Sequence, residues 1–80
     1  MEDRKHIIIE FICKVTRKKQ IQIDEDIFEG GIVNSLFAMQ LVLFLEKKFG
    51  IRISGKDLKQ INFRTVNAID NFIDTKLQEN

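Results

Sequence analysis

The residue best placed for chemistry is Ser35, which follows Asn34 at the predicted start of an apolar helix. Backbone N–H groups in the first turn of a helix are free, and the helix dipole adds about half a positive charge there. Both effects stabilise a phosphate that is esterified to a serine at this position. No general base lies near Ser35 in the sequence, so Ser35 suits a phosphate-linked group better than nucleophilic catalysis.

Other catalytic and metal-binding residue types are scarce. The chain has one His, one Cys, no Tyr and no Trp. A Ser/His/Asp or Cys/His site would depend on His6, near a terminus that is expected to fray. A four-ligand zinc site needs more Cys and His than the chain contains. The composition therefore argues against a stand-alone enzyme and against a metal site, and Cys13 and His6 are expected to be bystanders.

Length and composition predict one small globular domain that spans residues 1–80. The chain has a mass of 9.4 kDa, with 44% hydrophobic and 31% charged residues. Its net charge of +1 is too small to indicate nucleic acid. A lone cysteine favours a reducing, cytoplasmic compartment. The N-terminal stretch lacks the cleavage site of a signal peptide, and no apolar run is long enough for a membrane span.

Hydrophobic periodicity predicts an all-α fold, a small four-helix bundle with three longer helices, a short third helix and a long loop between helices I and II. Residues 4–19 have apolar residues at helical spacing, which predicts the first helix, although three consecutive isoleucines also suit a strand. Residues 35–49 form the strongest helix prediction, with Gly50 placed to end it in the left-handed conformation. Ser54 and Asp57 predict a short helix over residues 55–60. Thr65 is expected to cap a last helix that ends near Leu77.

The connection between the first two helices is unusually long and acidic. Residues 20–34 exceed the usual loop length of about 4–6 residues. The loop is expected to pack over the bundle, with Phe28, Ile32 and Val33 as core plugs, and its acids are expected to face the basic end of the first helix. The apolar residues of this loop are Ile21, Ile23, Ile27, Phe28, Ile32 and Val33.

The second helix is apolar almost all round. From Leu36 to Leu45 only Gln40 is polar. One side of such a helix must face water in so small a domain, and exposed apolar area marks a partner site. The residues expected to face the core are Leu41, Val42, Leu45 and Phe49. Some of the remaining large residues are expected to be exposed, with Phe44 or Met39 partly in the core and Phe37 as the leading interface candidate; these residues are Phe37, Met39, Leu43 and Phe44.

The sequence resembles the acyl and peptidyl carrier proteins. The similar stretches are FEGGIVNSL at 28–36, LEKKFGI at 45–51 and the pair Thr65-Val66, and the resemblance covers residues 8–77. It implies a non-catalytic, monomeric carrier to which a phosphopantetheinyl transferase attaches 4′-phosphopantetheine at Ser35. The terminal thiol of this arm holds an acyl or aminoacyl group as a thioester. Implied partners are the transferase, a loading enzyme, and modifying, acyltransferase or condensing enzymes. The implied docking residues are Leu36, Phe37, Met39, Gln40 and Leu43.

Two departures from the family pattern matter. Asn34 replaces the usual Asp, which keeps a helix cap but removes a charge that bears on recognition by the transferase. Helix II lacks the acidity of many carriers and ends in Lys47-Lys48, so docking is expected to be more hydrophobic and less salt-sensitive.

Residues 33–40 are similar to small discrete carriers of polyketide and hybrid nonribosomal peptide pathways, some of which carry unusual malonyl-type extender units. D-alanyl carrier proteins are a further alternative. Two rival functions remain open. The first is an unmodified helical interaction module with a carrier-like fold, which Asn34 supports. The second is a basic nucleic-acid-binding domain, which conflicts with the absence of interleaved aromatic residues.

Overall fold

A computed structural model describes residues 3–28 and 35–79, apart from the side chains of Ser35 and Gln60. This part of the chain contains three longer helices, one short helix and a single 3-10 turn, and no strand. The all-α prediction is therefore confirmed, and the three isoleucines near the N-terminus are helical. In chain order the elements are α1 (Arg4–Thr16), α2 (Ser35–Phe49), the 3-10 turn (Gly55–Asp57), α3 (Gln60–Phe63) and α4 (Val66–Gln78).

Helix α1 is capped at both ends by local geometry. The Asp3 carboxylate accepts a hydrogen bond from the backbone N–H of Lys5 at 3.3 Å. At the other end Arg17 adopts a left-handed conformation, with φ of 63°. The helix therefore ends at Thr16, and the prediction that it continues to Lys19 is wrong because Arg17 turns the chain.

The segment between α2 and α4 differs from its prediction. Ser54 donates from its backbone N–H and its hydroxyl to the Asp57 carboxylate, both at 2.9 Å, as the capping pattern predicts. The turn that follows is a 3-10 turn, and Leu58 leaves the helical region with ψ of 61°. The predicted bounds of 55–60 for the short helix are therefore wrong, because the structure has the 3-10 turn there and the short helix α3 begins only at Gln60.

The core draws on every longer helix and on the long loop. Ile21 and Ile27 from the loop are buried, and Ile23 is 42% exposed. Phe28, a predicted core plug, is half-buried and packs against the core. The core-plug prediction is therefore only partly correct for Phe28, and the other two predicted plugs, Ile32 and Val33, lie outside the described residues. The buried residues are Ile8, Ile12, Ile21, Ile27, Phe37, Leu41, Leu45, Ile51, Phe63, Val66, Ile69 and Ile73.

The described part of the long loop is tied to the junction between α3 and α4. The backbone N–H of Ile27 donates to the carbonyl of Arg64 at 2.8 Å, and that of Asn67 donates to the carbonyl of Ile23 at 2.9 Å. Lys18 forms an ion pair with Glu25 at 2.7 Å. The basic end of α1 thus faces the acidic loop, as the charge pattern predicts.

Helix α4 closes the fold against α1. The Thr65 hydroxyl accepts from the backbone N–H of Ala68 at 3.0 Å, which confirms the predicted cap. The Arg4 guanidinium donates to Asp70 at 2.8 Å and joins the first helix to the last. Among the described helices, none has the length and apolar character that crossing a membrane requires.

Candidate functional site

The candidate site is the start of α2. The backbone is helical from Ser35 onward for 15 residues, as the sequence predicts. No acidic residue occupies its first turn, and the first charged residue of the helix is Glu46. The Ser35 side chain and all of Asn34 lie outside the described residues. The cap by Asn34 therefore stays a prediction.

Three large apolar side chains next to this helix start are exposed. Leu36, Met39 and Leu43 are 66%, 64% and 61% exposed. Their spacing of three and four residues places them on one face of α2. We call these three residues the apolar stripe. Gln40 is exposed beside the stripe, so four of the five predicted docking residues are accessible to a partner.

Phe37 is the exception, and its prediction as the leading interface candidate is wrong. Its side chain is only 4% exposed and belongs to the core. It lies one turn from Leu41 and two turns from Leu45, which are also buried. This four-residue spacing places all three on the inner face of α2. The same spacing is visible in the sequence, but nearly every residue from Leu36 to Leu45 is apolar, so the spacing alone does not single out the inner face.

The neighbouring aromatic residue, Phe44, is half-buried against α1. Its ring stacks on Phe11 with centroids 4.2 Å apart and an angle of 13° between the planes. Val42 and Phe49 are also half-buried, so their predicted core positions are only partly correct. Cys13 is half-buried, as expected.

The charged end of α2 is basic. The Glu46 carboxylate accepts a hydrogen bond from the backbone N–H of Ile53 at 2.7 Å. Lys47 and Lys48 are exposed in the last turn, and no carboxylate of the described residues pairs with them. The exposed face of α2 is therefore uncharged for its first eleven residues and then positive, which matches the predicted loss of acidity.

This arrangement fits a phosphate ester at Ser35. A helix start offers free backbone N–H groups and a favourable dipole to a phosphate. The first turn contains no carboxylate that would repel it. The neighbouring Leu36 is two-thirds exposed. Within the described residues no group of acidic, His or Cys side chains could hold a metal ion.

Comparison with known proteins identifies the family. The sequence profile of the family described as "Phosphopantetheine attachment site" matches residues 6–73. This match spans most of the chain, and the chain belongs to this family. The domains of this family bear 4′-phosphopantetheine covalently and are themselves non-catalytic, so this chain is a phosphopantetheine carrier protein.

Several curated proteins are similar to the chain over part of its length. The D-alanyl carrier protein of Streptococcus sanguinis (strain SK36) is 33% identical over 46 residues, which are 58% of each chain. The D-alanyl carrier protein of Lactobacillus helveticus (strain DPC 4571) is 33% identical over 48 residues, 60% of this chain and 61% of the relative. The chain thus spans about three fifths of the curated relatives it matches. No solved structure matches the chain.

Proposed function

We propose that the chain is a discrete carrier domain over residues 1–80, modified with 4′-phosphopantetheine at Ser35. The observation that carries this proposal is the position of Ser35 at the first residue of α2, inside the region that matches the attachment-site family. The arm presents a thioester-bound cargo to partner enzymes in the cytoplasm. Phosphopantetheinyl transferase and a loading enzyme are the first partners.

The cargo that the comparisons favour is an amino acid, with D-alanine as the first candidate, because the similar curated proteins are D-alanyl carriers. A malonyl-type extender unit in a polyketide or nonribosomal peptide pathway is the second candidate. It depends on the similarity of residues 33–40 to small carriers of those pathways.

Partner docking is proposed to use the apolar stripe and Gln40. The stripe begins one residue after Ser35, so a partner that accepts the arm also contacts Leu36. The uncharged character of this face makes docking depend on apolar contact more than on charge steering.

The attachment site is tested by intact-protein mass spectrometry after incubation with coenzyme A and a broad-specificity phosphopantetheinyl transferase. The chain contains only two serines, Ser35 and Ser54. We expect one phosphopantetheine on the native chain and on Ser54→Ala, and none on Ser35→Ala. Circular dichroism should show that both variants keep their helical signal. Failure of the native chain to gain the group with several transferases would support the rival, unmodified interaction module.

The cargo is tested on the protein purified from its own cells. Hydroxylamine cleaves thioesters, so the mass lost on mild treatment identifies the group that was carried. Loss of an alanyl group would support the D-alanyl assignment, and loss of a malonyl-type group would support the second candidate.

The docking face is tested by the initial rate of modification. Leu43→Asp should slow the reaction roughly ten-fold because it places a charge in the apolar contact. The control Leu77→Asp changes a leucine that is 39% exposed on α4, and it should change the rate less than about two-fold. An equal effect of both substitutions would contradict a docking role for the apolar stripe.

A further inference from the structure

A second surface lies on the other side of α2, where this helix packs against α1. An open groove of about 620 Å³ runs between the two helices. Its floor is formed by the stacked rings of Phe11 and Phe44, and Ile7 and Val15 continue the apolar lining along α1. This volume falls in the range of protein binding sites, which is about 300–1,000 Å³.

The groove is separate from the apolar stripe. Phe44 follows Leu43 in α2, and successive residues are rotated by about 100° around a helix axis. The stripe faces away from the core, whereas Phe44 faces α1. A molecule in the groove would therefore leave Leu43 and the start of α2 accessible to another partner.

The floor of the groove is held by the core. Phe11 stacks on Phe44 and lies 6.5 Å, between ring centroids, from the buried Phe37. Both floor rings are half-buried, so each presents an edge or face to the groove while the rest is packed. A preformed floor lowers the entropic cost of binding.

The charges at the groove are mostly positive and uncompensated. Lys14 lines it from α1 and Lys48 from α2, and neither has a carboxylate partner among the residues that the structure describes. The one acid in the lining is Glu10, whose carboxylate lies 2.6 Å from the His6 ring nitrogen. The groove thus combines an apolar floor with two available ammonium groups.

We propose that this groove binds an acidic amphipathic helix of a partner protein. The α1 lining extends from Ile7 to Val15, about 12 Å or two helical turns. A furrow between two packed helices is complementary to the ridge of a third helix, whose apolar side chains would contact the Phe11 and Phe44 rings. Its carboxylates would pair with Lys14 and Lys48.

This proposal goes beyond the carrier function because it does not depend on Ser35. A partner bound in the groove would hold the carrier while the arm and the apolar stripe engage a second enzyme. Such tethering raises the effective concentration of the cargo at the second site.

The test uses the full 80-residue chain and a synthetic helical peptide of about 15 residues, built from leucine on one face and glutamate on the other. Amide chemical shifts in NMR spectra report where the peptide binds. We expect saturable shifts in the segment around Phe11 and in the segment from Phe44 to Lys48. The double variant Lys14→Glu/Lys48→Glu should bind roughly ten-fold more weakly. The matched control Lys19→Glu/Lys56→Glu has the same net charge, and should stay within about two-fold of the native chain.

Three outcomes would overturn the proposal. If an acidic peptide with serine in place of leucine bound as tightly as the leucine peptide, binding would be due to bulk charge attraction and not to contact with the Phe11 and Phe44 rings. Shifts centred on the apolar stripe would place the peptide at the docking face. Binding of anionic lipid vesicles but not of the peptide would make the groove a lipid-contacting surface. Since the chain is tested without its arm, none of these results depends on modification at Ser35.

Discussion

Lys76 Nζ lies 2.7 Å from Asp57 Oδ2 and joins the last turn of α4 to the 3-10 turn. Both side chains are only 15% exposed. The hydrogen bond from Lys76, together with those from Ser54, lowers the pKa of Asp57 from 3.8 to about 2. The hydrogen bond to Asp57 in turn raises the pKa of Lys76 above its usual value. The Lys76–Asp57 ion pair and the 3-10 turn therefore stabilise each other.

The pKa shifts of Asp57 and Lys76 predict how the stability of the fold depends on pH. The pKa of Asp57 is lower in the folded chain, so its contribution to the free energy of unfolding is complete above about pH 4 and is lost toward about pH 2. Lys76 has a raised pKa, so its contribution is complete below about pH 10.5 and is lost at higher pH. Asp57→Asn should therefore lower the melting temperature at neutral pH, and this difference from the native chain should shrink as the pH falls from about 4 to about 2.

Thermal melts followed by circular dichroism across this pH range measure the effect. Asp24→Asn is the matched control, because Asp24 is exposed and has no partner among the described residues. We expect it to melt close to the native chain at every pH. If Asp57→Asn lowered the melting temperature by the same amount at acid and neutral pH, the ion pair would not be the source of the effect.

Gly50 ends α2 in the left-handed conformation, with φ of 66°, and its N–H donates to the carbonyl of Glu46 at 2.9 Å. An added Cβ would meet no atom within 4 Å, so Gly50→Ala costs backbone strain alone, about 1 kcal/mol of unfolding free energy. The control Gly55→Ala also meets open space, lacks the positive φ, and should change stability by less than about 0.5 kcal/mol. Urea unfolding compares the two, and equal costs would show that the left-handed conformation is not the cause.

Local patterns predicted most of the helix bounds. Helix α2 begins at Ser35 and ends before Gly50, as the apolar run and the glycine indicate. The cap at Thr65 was also predictable. These features depend on residues a few positions apart, so the sequence contains the information that determines them.

Features that depend on packing between distant segments were not predictable in this way. The end of α1 depends on the left-handed conformation of Arg17, a residue without the usual preference of glycine for it. The groove exists only because Phe11 and Phe44 meet across two helices. A uniformly apolar helix such as α2 has no clear inner face until its neighbours are known, which is why the sequence predicts the wrong side of the helix for Phe37.

Phe37 and Leu43 lie in different surroundings, so alanine substitutions at the two positions are expected to have different effects on stability. Phe37 is 4% exposed and Leu43 is 61% exposed, although both are large apolar residues of α2. Phe37→Ala leaves a cavity in the core and should cost about 3–5 kcal/mol of unfolding free energy. That cost is a large fraction of the total stability of a small domain, which is of the order of 5–15 kcal/mol at most. Leu43→Ala removes exposed surface and should stay within about 0.5 kcal/mol of the native chain.

Urea unfolding measures both variants, and the rate of phosphopantetheine transfer provides the second measurement. Leu43→Ala should slow the transfer while leaving stability unchanged, because Leu43 is exposed and belongs to the proposed docking face. Phe37→Ala should lower the free energy of unfolding but leave the transfer rate close to that of the native chain, when it is assayed under conditions where it stays folded. A Phe37→Ala variant that is stable but slow in transfer would contradict this prediction. It would indicate that Phe37 belongs to the docking face and not to the inner face of α2 with Leu41 and Leu45.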